Sequence, residues 1–478
     1  MLKFAKYHKK ELAIFFIWAL LWLGLGTQMS GTFNISNYYF PSFNFLRANL
    51  IFYIFLILLL NFLYYREKTE YLIFALYPIF GFLGFVLNSN ESIYFGLHNS
   101  ISLLAIVFFI NFISCGTINK KLIFHYLHYS SIVILSVFFI LFIAPDLINK
   151  ILSLSLGARG ENTIDIIFSK NINFHIPQNS NGSSRMIFVI TILLTCFYNF
   201  YLKNKLTNLN IFLFICVLIF ASINIFYQSK LNILAFIISC LYIFLSNSNY
   251  KNKLKILSLV LLVTLPFVIN STYQKYHNEN FSFIENNRLF NDKEGFLIFN
   301  NNNISQDAYD IKNIFDKSTT HGDVGKFCSS HNSMLDRFFG GRICGWEILT
   351  KIYFDNFKLF GYGFFEDRKI LERFQKISSN SYLFALFNAG ILSFFILIIF
   401  YANIFIKIIR CTLISRKSKD NFLATTEFYK ILTAYLIVRS FFEDTLAFVS
   451  IDLLLIVACI SFFNYFFEIT KSLPKRTL

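Results

Sequence analysis

Charge is scarce in this chain: 15% of its 478 residues are Asp, Glu, Lys or Arg, against 56% hydrophobic. That ratio leaves too few polar groups to clothe a soluble domain of this size, so lipid is the expected solvent. The sequence also lacks a Cys/His spacing suited to zinc, a Gly-rich loop that would cradle a phosphate, and a repeat with a period of about 20–50 residues. Neither a metal site nor a cofactor is expected. The first apolar run has the basic start of a secretory signal, but no small-x-small cleavage site closes it and many runs follow, so it reads as a retained anchor. The wealth of Phe, Ile, Asn, Tyr and Lys is what AT-rich coding drift yields, and aromatic abundance alone argues for no ligand.

What is present is a series of long apolar runs. A hydrocarbon core about 30 Å thick needs about 20 apolar residues as a helix. Such runs lie near 11–29, 46–65, 71–88, 96–114, 122–145, 186–202, 209–226, 231–247, 254–270, 380–408, 428–446 and 449–469. The pair flanking Tyr227 to Lys230 has the alternative of being one broken element. Because lipid offers backbone groups no partner, each span must close its own hydrogen bonds. The expected fold is therefore all-α, a polytopic membrane helix bundle of about twelve transmembrane helices. One polar insert divides it into 1–270 (helices one to nine, with an outer loop at 146–184), 271–378 (a large, mostly helical outer loop domain) and 379–478 (helices ten to twelve).

Short cytoplasmic loops collect Lys and Arg. Lys3, Lys6, Lys9 and Lys10 precede the first run, and Arg66/Lys68, Lys120/Lys121, Lys203/Lys205, Lys251/Lys253/Lys255, Arg410/Arg416/Lys417/Lys419 and Lys471/Lys475/Arg476 fall at every second connection. The connections around 34–44, 88–95 and 444–448 are nearly free of cations. Both termini are then cytoplasmic, and the insert and the 146–184 loop lie on the outer face. The insert holds fourteen Lys/Arg and fourteen Asp/Glu, so the net charge of +16 belongs to the rest of the chain. That charge orients the protein in its membrane, and no nucleic-acid partner is expected.

Six of the eight cysteines (Cys115, Cys196, Cys216, Cys240, Cys411 and Cys459) lie in or beside apolar runs, where a small thiol packs well. Cys328 and Cys344 are the pair in the insert, and a bridge there would close a loop of about 15 residues and contribute roughly 3 kcal/mol in an oxidising compartment.

Four cations gather toward the outer ends of the runs. Arg185 ends Ile176-Pro-Gln-Asn-Ser-Asn-Gly-Ser-Ser-Arg185; Lys230 stands at an outer turn; Arg342 sits in Gly340-Gly-Arg-Ile-Cys-Gly-Trp-Glu-Ile-Leu349; and Arg439 lies within a run. An Arg inside a span usually faces the bundle interior with a partner, and Glu443, one turn on with Asp444 beside it, is the expected one. Three of them also have a structural reading: an internal ion pair or a snorkelling side chain for Arg439, and anchors for lipid headgroups for Arg185 and Lys230. Their convergence is better matched by a pyrophosphate-linked substrate, whose oxygens a guanidinium fork binds in bidentate fashion. After Arg342, the residues Ile343, Trp346, Leu349, Ile352, Tyr353 and Phe357 recur at helical spacing. This predicts an amphipathic helix over 341–357 that lies on the bilayer or caps the bundle, ended by a turn at Gly361-Tyr-Gly363.

In order and topology these segments resemble the O-antigen ligase and O-antigen polymerase superfamily of bacterial inner-membrane glycosyltransferases. The resemblance covers roughly 170–450. It rests on the Asn-rich Pro177–Arg185 stretch, on Ser229-Lys230 at an outer helix start, and on Gly341-Arg342 with Trp346 four residues on. Asn356-Phe-Lys-Leu-Phe-Gly-Tyr-Gly363, Ser379-Asn-Ser-Tyr-Leu383 and Gly390-Ile-Leu392 complete it. Lys230 stands where the family pattern has Arg, and Ser379 stands where ligases carry a His. The second departure favours polymerase.

The resemblance implies a surface-polysaccharide polymerase in the bacterial inner membrane with the large loop periplasmic. It would transfer an undecaprenyl-diphosphate-linked oligosaccharide to a sugar hydroxyl, without metal and with inversion. Arg185, Lys230, Arg342 and Arg439 would hold the diphosphate, with Glu443 or His331 as catalytic base; His321 is a further loop histidine. Membrane lipid and an acceptor glycan are implied partners, and a chain-length regulator is a candidate. The alternatives are a ligase that uses lipid A-core as acceptor and, from other classes, a lipid-linked oligosaccharide flippase or other transporter, or a membrane scaffold. Transporters tend to show internal repeats and broken polar helices near the midplane. Neither is visible here.

Overall fold

The computed structural model describes residues 9–25, 41–65, 69–88, 93–116, 118–138, 187–193, 230–246, 257, 260, 261, 264, 342–364, 366–373, 380–415, 423–444, 446, 447 and 450–472. Among them all regular structure is helical. In chain order the helices are α1 (Lys9–Leu25), α2 (Pro41–Tyr65), a 3-10 turn (Glu70–Ala75) running into α3 (Leu76–Asn88), α4 (Ile93–Ser114) and α5 (Lys120–Phe138). After them come α6 (Lys230–Ser246), α7 (Arg342–Asp355), α8 (Glu366–Arg373), α9 (Ser381–Ser415), α10 (Leu423–Arg439) and α11 (Ile451–Ser472). Residues 187–193 form a further helical stretch. The expected run at 209–226 and the outer loop at 146–184 lie outside the described residues.

Glu70–Asn88, Gly96–Ser114, Ser381–Ser415 and Ile451–Thr470 are long and apolar enough to cross a membrane, and Asn49–Tyr64 and Asn232–Tyr242 are shorter apolar helices. Their outward surface agrees: Leu60, Leu63, Leu87, Ile399 and Leu413 are more than half exposed, an arrangement that suits hydrocarbon as solvent. Inside the bundle, several hydroxyls are satisfied locally. Ser100, Ser131, Thr191, Ser239 and Thr412 each donate to the carbonyl four residues back, so they enter the apolar interior without an unmet donor.

One apolar core runs through α1 to α6 and α9 to α11. Trp18 stacks on Phe109, and Phe124 and Tyr429 both meet Phe462. A second, smaller core joins α7 and α8 to the start of α9 through Cys344, Ile348, Tyr353, Tyr362, Ile370 and Phe387. The apolar face of α7 is turned relative to the expected stripe. Cys344, Gly345, Ile348, Leu349, Ile352 and Tyr353 are buried, Ile343 and Trp346 are half-buried, and Phe357 is exposed. The rotation follows from packing on α8 and α9 with Arg342 directed inward.

A backbone junction fixes this second core to the bundle. Gly390 breaks α9 with φ 85° and ψ 174°, a left-handed value that a side chain rarely adopts. The break frees the carbonyls of Phe387 and Asn388, which accept the amides of Tyr362 (2.8 Å) and Gly363 (2.9 Å). The facing strand of loop is equally tight. Gly361 has φ 73°, and Asn88 at the end of α3 donates to its carbonyl at 2.8 Å. A Cβ at Gly84 would stand 2.0 Å from the Phe360 carbonyl oxygen, so α3, the 359–364 loop and α9 meet at backbone distance. Burial, helped by Tyr353 and Asp355, pushes the Tyr362 phenol up to about 12, which keeps it a donor to the Asn356 carbonyl at 2.8 Å.

Gly390→Ala places a methyl carbon 1.9 Å from the Leu359 carbonyl oxygen on a backbone that disfavours it. The expected cost is about 1–3 kcal/mol, read as a lower unfolding midpoint in detergent. Gly116→Ala, whose methyl meets nothing within 4 Å, is the control and is expected to stay within about 0.5 kcal/mol. Equal midpoints for the two variants would refute the junction's role.

Candidate active site

Polar groups concentrate at the end of the bundle where α9 begins. Asn380 caps α9, its Oδ1 accepting the amides of Tyr382 (2.9 Å) and Leu383 (3.0 Å), as an Asn in that position does when the first turn's amides lack helical partners. Its Nδ2 donates to the Phe441 carbonyl at 2.8 Å. Ser381 ties the same turn to the 440–447 segment. Its amide donates to Ser440 O (3.0 Å), its hydroxyl to Glu443 O (2.7 Å), and it accepts the Leu446 amide at 3.2 Å. Tyr77 and Tyr401 close the far side by donating to the carbonyls of Ala447 and Leu446. The described part of the loop after α10 is thus tied to α3 and α9 by hydrogen bonds to its backbone.

Two acidic side chains of that loop meet two arginines from α7 and α8. Arg342, the first residue of α7, donates to Glu443 Oε1 at 3.1 Å; the two side chains are 10% and 13% exposed. Arg368 in α8 donates to Asp444 Oδ2 at 2.8 Å and is the more open, at 46% exposed. Behind them Asp367 is fully buried and exchanges hydrogen bonds with Asn388: Asn388 Nδ2 donates to Asp367 Oδ1 at 2.9 Å, and the Asp367 amide donates to Asn388 Oδ1 at 3.3 Å. That exchange sets the rotation of α8 and with it the reach of Arg368.

Arg439 has a different partner from the expected one. It ends α10, and its guanidinium pairs with Asp452 in the first turn of α11 and donates through Nε to Asn232 Oδ1 at 2.8 Å. Tyr435 donates to the same oxygen at 3.2 Å. Glu443 faces Arg342 instead, because α10 stops at Arg439 and the chain turns; the one-turn spacing from 439 to 443 presumed a continuing helix. The same stop shortens the expected run 428–446. Asp452 gains from the helix N-terminus, where a carboxylate opposes the positive end of the dipole. This network joins α6, α10 and α11.

Lys230 is the first residue of α6, two positions before Asn232. The stretch 187–193 sets Phe188 against Phe236 and Tyr435, with ring centroids 5.4 and 6.1 Å apart, so the chain just after Arg185 packs on the same two helices. Arg185, His331, His321, Cys328 and Ser379 lie outside the described residues. Cys344 is disulfide-bonded, while Cys115, Cys240, Cys411 and Cys459 are buried free thiols. Sequence reasoning missed Arg368, Asp367, Asn388, Asp452 and Asn232. Asp452 had a usable signal, since an acid at the fourth residue of the apolar run 449–469 needs a partner as much as an Arg does; the others carried none.

The geometry offers two kinds of group. Arg439 and Asp452 are sealed from solvent and serve to hold three helices together. Arg342, Arg368, Glu443 and Asp444 are less enclosed, and they supply adjacent guanidinium and carboxylate groups: anion-binding forks beside proton acceptors.

Asp452→Asn would leave the Arg439 guanidinium buried without its counter-ion. The expected loss is about 3–5 kcal/mol, seen as depletion of the folded peak in detergent size-exclusion. Arg368→Ala, removing a partly exposed partner, is expected to cost within about 1 kcal/mol. Wild-type stability for Asp452→Asn would mean that Asn232 alone suffices to hold Arg439. Comparison of the chain with family models, curated proteins and solved structures gives no match, so the functional reading rests on the residues and this geometry.

Proposed function

We propose that the protein is a membrane glycosyltransferase, a surface-polysaccharide polymerase acting on an undecaprenyl-diphosphate-linked glycan at the outer face of a bacterial inner membrane. The observation that carries the reading is the meeting of Arg342 and Glu443, 101 residues apart in sequence, at one end of an apolar helical bundle. Cation and carboxylate lie together there, which supports a site for a lipid-anchored headgroup.

In the proposed reaction a sugar hydroxyl of the acceptor gives its proton to the Glu443 carboxylate as its oxygen bonds to the donor's anomeric carbon. The bond from that carbon to the diphosphate oxygen breaks from the opposite face, with inversion, and lipid diphosphate departs. Charge grows on the leaving group, and preorganised cations aimed there lower the barrier most. Arg342 takes that role with Lys230 and Arg185, and no metal is required. Arg439 acts as a positioning residue that fixes the start of α6 beside Lys230. His331 is the alternative base.

The finer topology belongs to the same reading: twelve spans, both termini cytoplasmic, and the 271–378 insert in the periplasm. The Cys344 disulfide supports it, since disulfides persist in oxidising compartments and are rare in the cytosol. It supports an outer-side location for the start of α7 and for Arg342.

The test is complementation in a host that makes the matching repeat unit but lacks its own polymerase, with surface polysaccharide resolved on a gel. A restored ladder of chain lengths is expected, and Arg342→Ala is expected to lose about 10²-fold or more in transfer at normal expression. Activity of Arg342→Ala within about two-fold of wild type would remove Arg342 from the site. Long chains newly attached to lipid A-core in a ligase-deficient host would instead identify the ligase. Relief of repeats stalled on the cytoplasmic side would identify a transporter.

A further inference from the structure

The four less enclosed groups pose a chemical problem. Arg342, the residue best placed to take a diphosphate, already spends a guanidinium N–H on Glu443 at 3.1 Å, and Arg368 spends one on Asp444 at 2.8 Å. A guanidinium engaged by a carboxylate is a weakened anion receptor, and a carboxylate oxygen engaged by a guanidinium is a hindered proton acceptor. Binding and base catalysis are both blocked by one pairing. The pairs differ in enclosure: Arg368 is open at 46% exposed, and Arg342 is buried at 10%, yet both are less sealed than Arg439 at 3%, and exchange begins at the open pair. Their partners are consecutive residues on a loop fixed at its backbone through Ser381 and Asn380. The carboxylates would therefore stay in place if the guanidinium groups turned away.

We infer that Arg342 and Arg368 together form a diphosphate receptor that is closed by Glu443 and Asp444 in the unliganded protein and is opened by exchange of those carboxylates for the donor's diphosphate. The inference rests on the glycosyltransferase reading and adds two things to it. It assigns Arg368 as a second diphosphate-binding residue, and it makes donor binding the event that frees Glu443 to accept the acceptor's proton. The exchange is favourable because a diphosphate offers each fork two oxygens and a greater charge than one carboxylate. Donor must then bind before Glu443 is released to activate the acceptor, and in the unliganded protein Glu443 is held by Arg342.

The experiment measures binding of geranyl diphosphate, a short prenyl diphosphate without sugar, to the full-length protein in nanodiscs by calorimetry, with unfolding midpoints recorded for every variant. Glu443→Gln, which keeps the shape but removes the competing charge, is expected to bind about tenfold more tightly than wild type, the factor that corresponds to one lost competing contact. The same variant is expected to lose about 10²-fold or more in chain extension, the contribution of a general base. Tighter binding with lost turnover is the signature of exchange, and a merely structural pair would lower both. Arg368→Ala in the Glu443→Gln background is expected to weaken binding about tenfold. Should Glu443→Gln fail to fold, Glu443→Asp, which withdraws the carboxylate by one methylene, is expected to tighten binding in the same direction. Equal or weaker binding by a folded Glu443→Gln, with wild type still binding the probe, overturns the exchange and leaves the glycosyltransferase reading standing. No binding by wild type or Glu443→Gln, both folded, overturns the exchange and the diphosphate-donor reading with it.

Discussion

A helix broken inside an apolar bundle leaves carbonyl oxygens that neither lipid nor the helix can satisfy, and each such group costs as much as a lost hydrogen bond in a medium of low dielectric. The rest of the site depends on how this is resolved at Gly390. The carbonyls of Phe387 and Asn388 take the amides of Tyr362 and Gly363, so a loop from the middle of the chain is tied to a helix of the bundle by backbone alone. That tie brings α7 and α8 over the start of α9, and Arg342 and Arg368 arrive beside Glu443 and Asp444. Because the contacts at Gly84, Gly361 and Gly390 are at backbone distance, the loop has little freedom to slide.

The ion pairs do a different job from the junction. A buried pair adds little net stability once desolvation is counted, yet removing one member is costly. Its effect is to penalise every arrangement in which the partners do not meet. Arg439 with Asp452 and Asn232 sets α6, α10 and α11 in register. Two other pairs act differently: Lys430 is neutralised by Glu427 within α10 itself, and Lys407 of α9 reaches Glu70, a half-exposed carboxylate before α3. The Arg342 and Arg368 pairs are less enclosed than the Arg439 pair, and they sit at the end of the bundle on a loop and two short helices instead of between its long helices.

Much of the architecture is legible from hydropathy. Expected runs such as 71–88 and 96–114 coincide closely with helices, because a stretch of apolar residues in lipid has only one way to close its backbone. A helix after Arg342 and turns at Gly361 and Gly363 follow from local spacing and glycine placement, and both are present. The face of that helix was less legible: Ile343 and Trp346 turn partly outward, since which face is buried depends on α8 and α9, which spacing does not report. Glu443 stood out as an acid near Arg439, but pairing them assumed that α10 continued. The helix stops because the turn that follows is bound to Asn380 and Ser381, residues about sixty positions earlier.

The sequence by itself determined that the chain is helical and built for lipid, where its apolar helices lie, and that most of its charge falls near their ends and in the polar insert. These follow from composition and local periodicity, which act over one or two turns of helix. Only the tertiary structure decided which acid faces which arginine, that Arg439 is enclosed while Arg342 and Arg368 are more open, and that Asp367 and Asn388 orient α8. Those outcomes depend on the break at Gly390 and on contacts between residues tens to hundreds of positions apart. A side chain's partner in a packed bundle is set by the path of the backbone, which hydropathy does not encode.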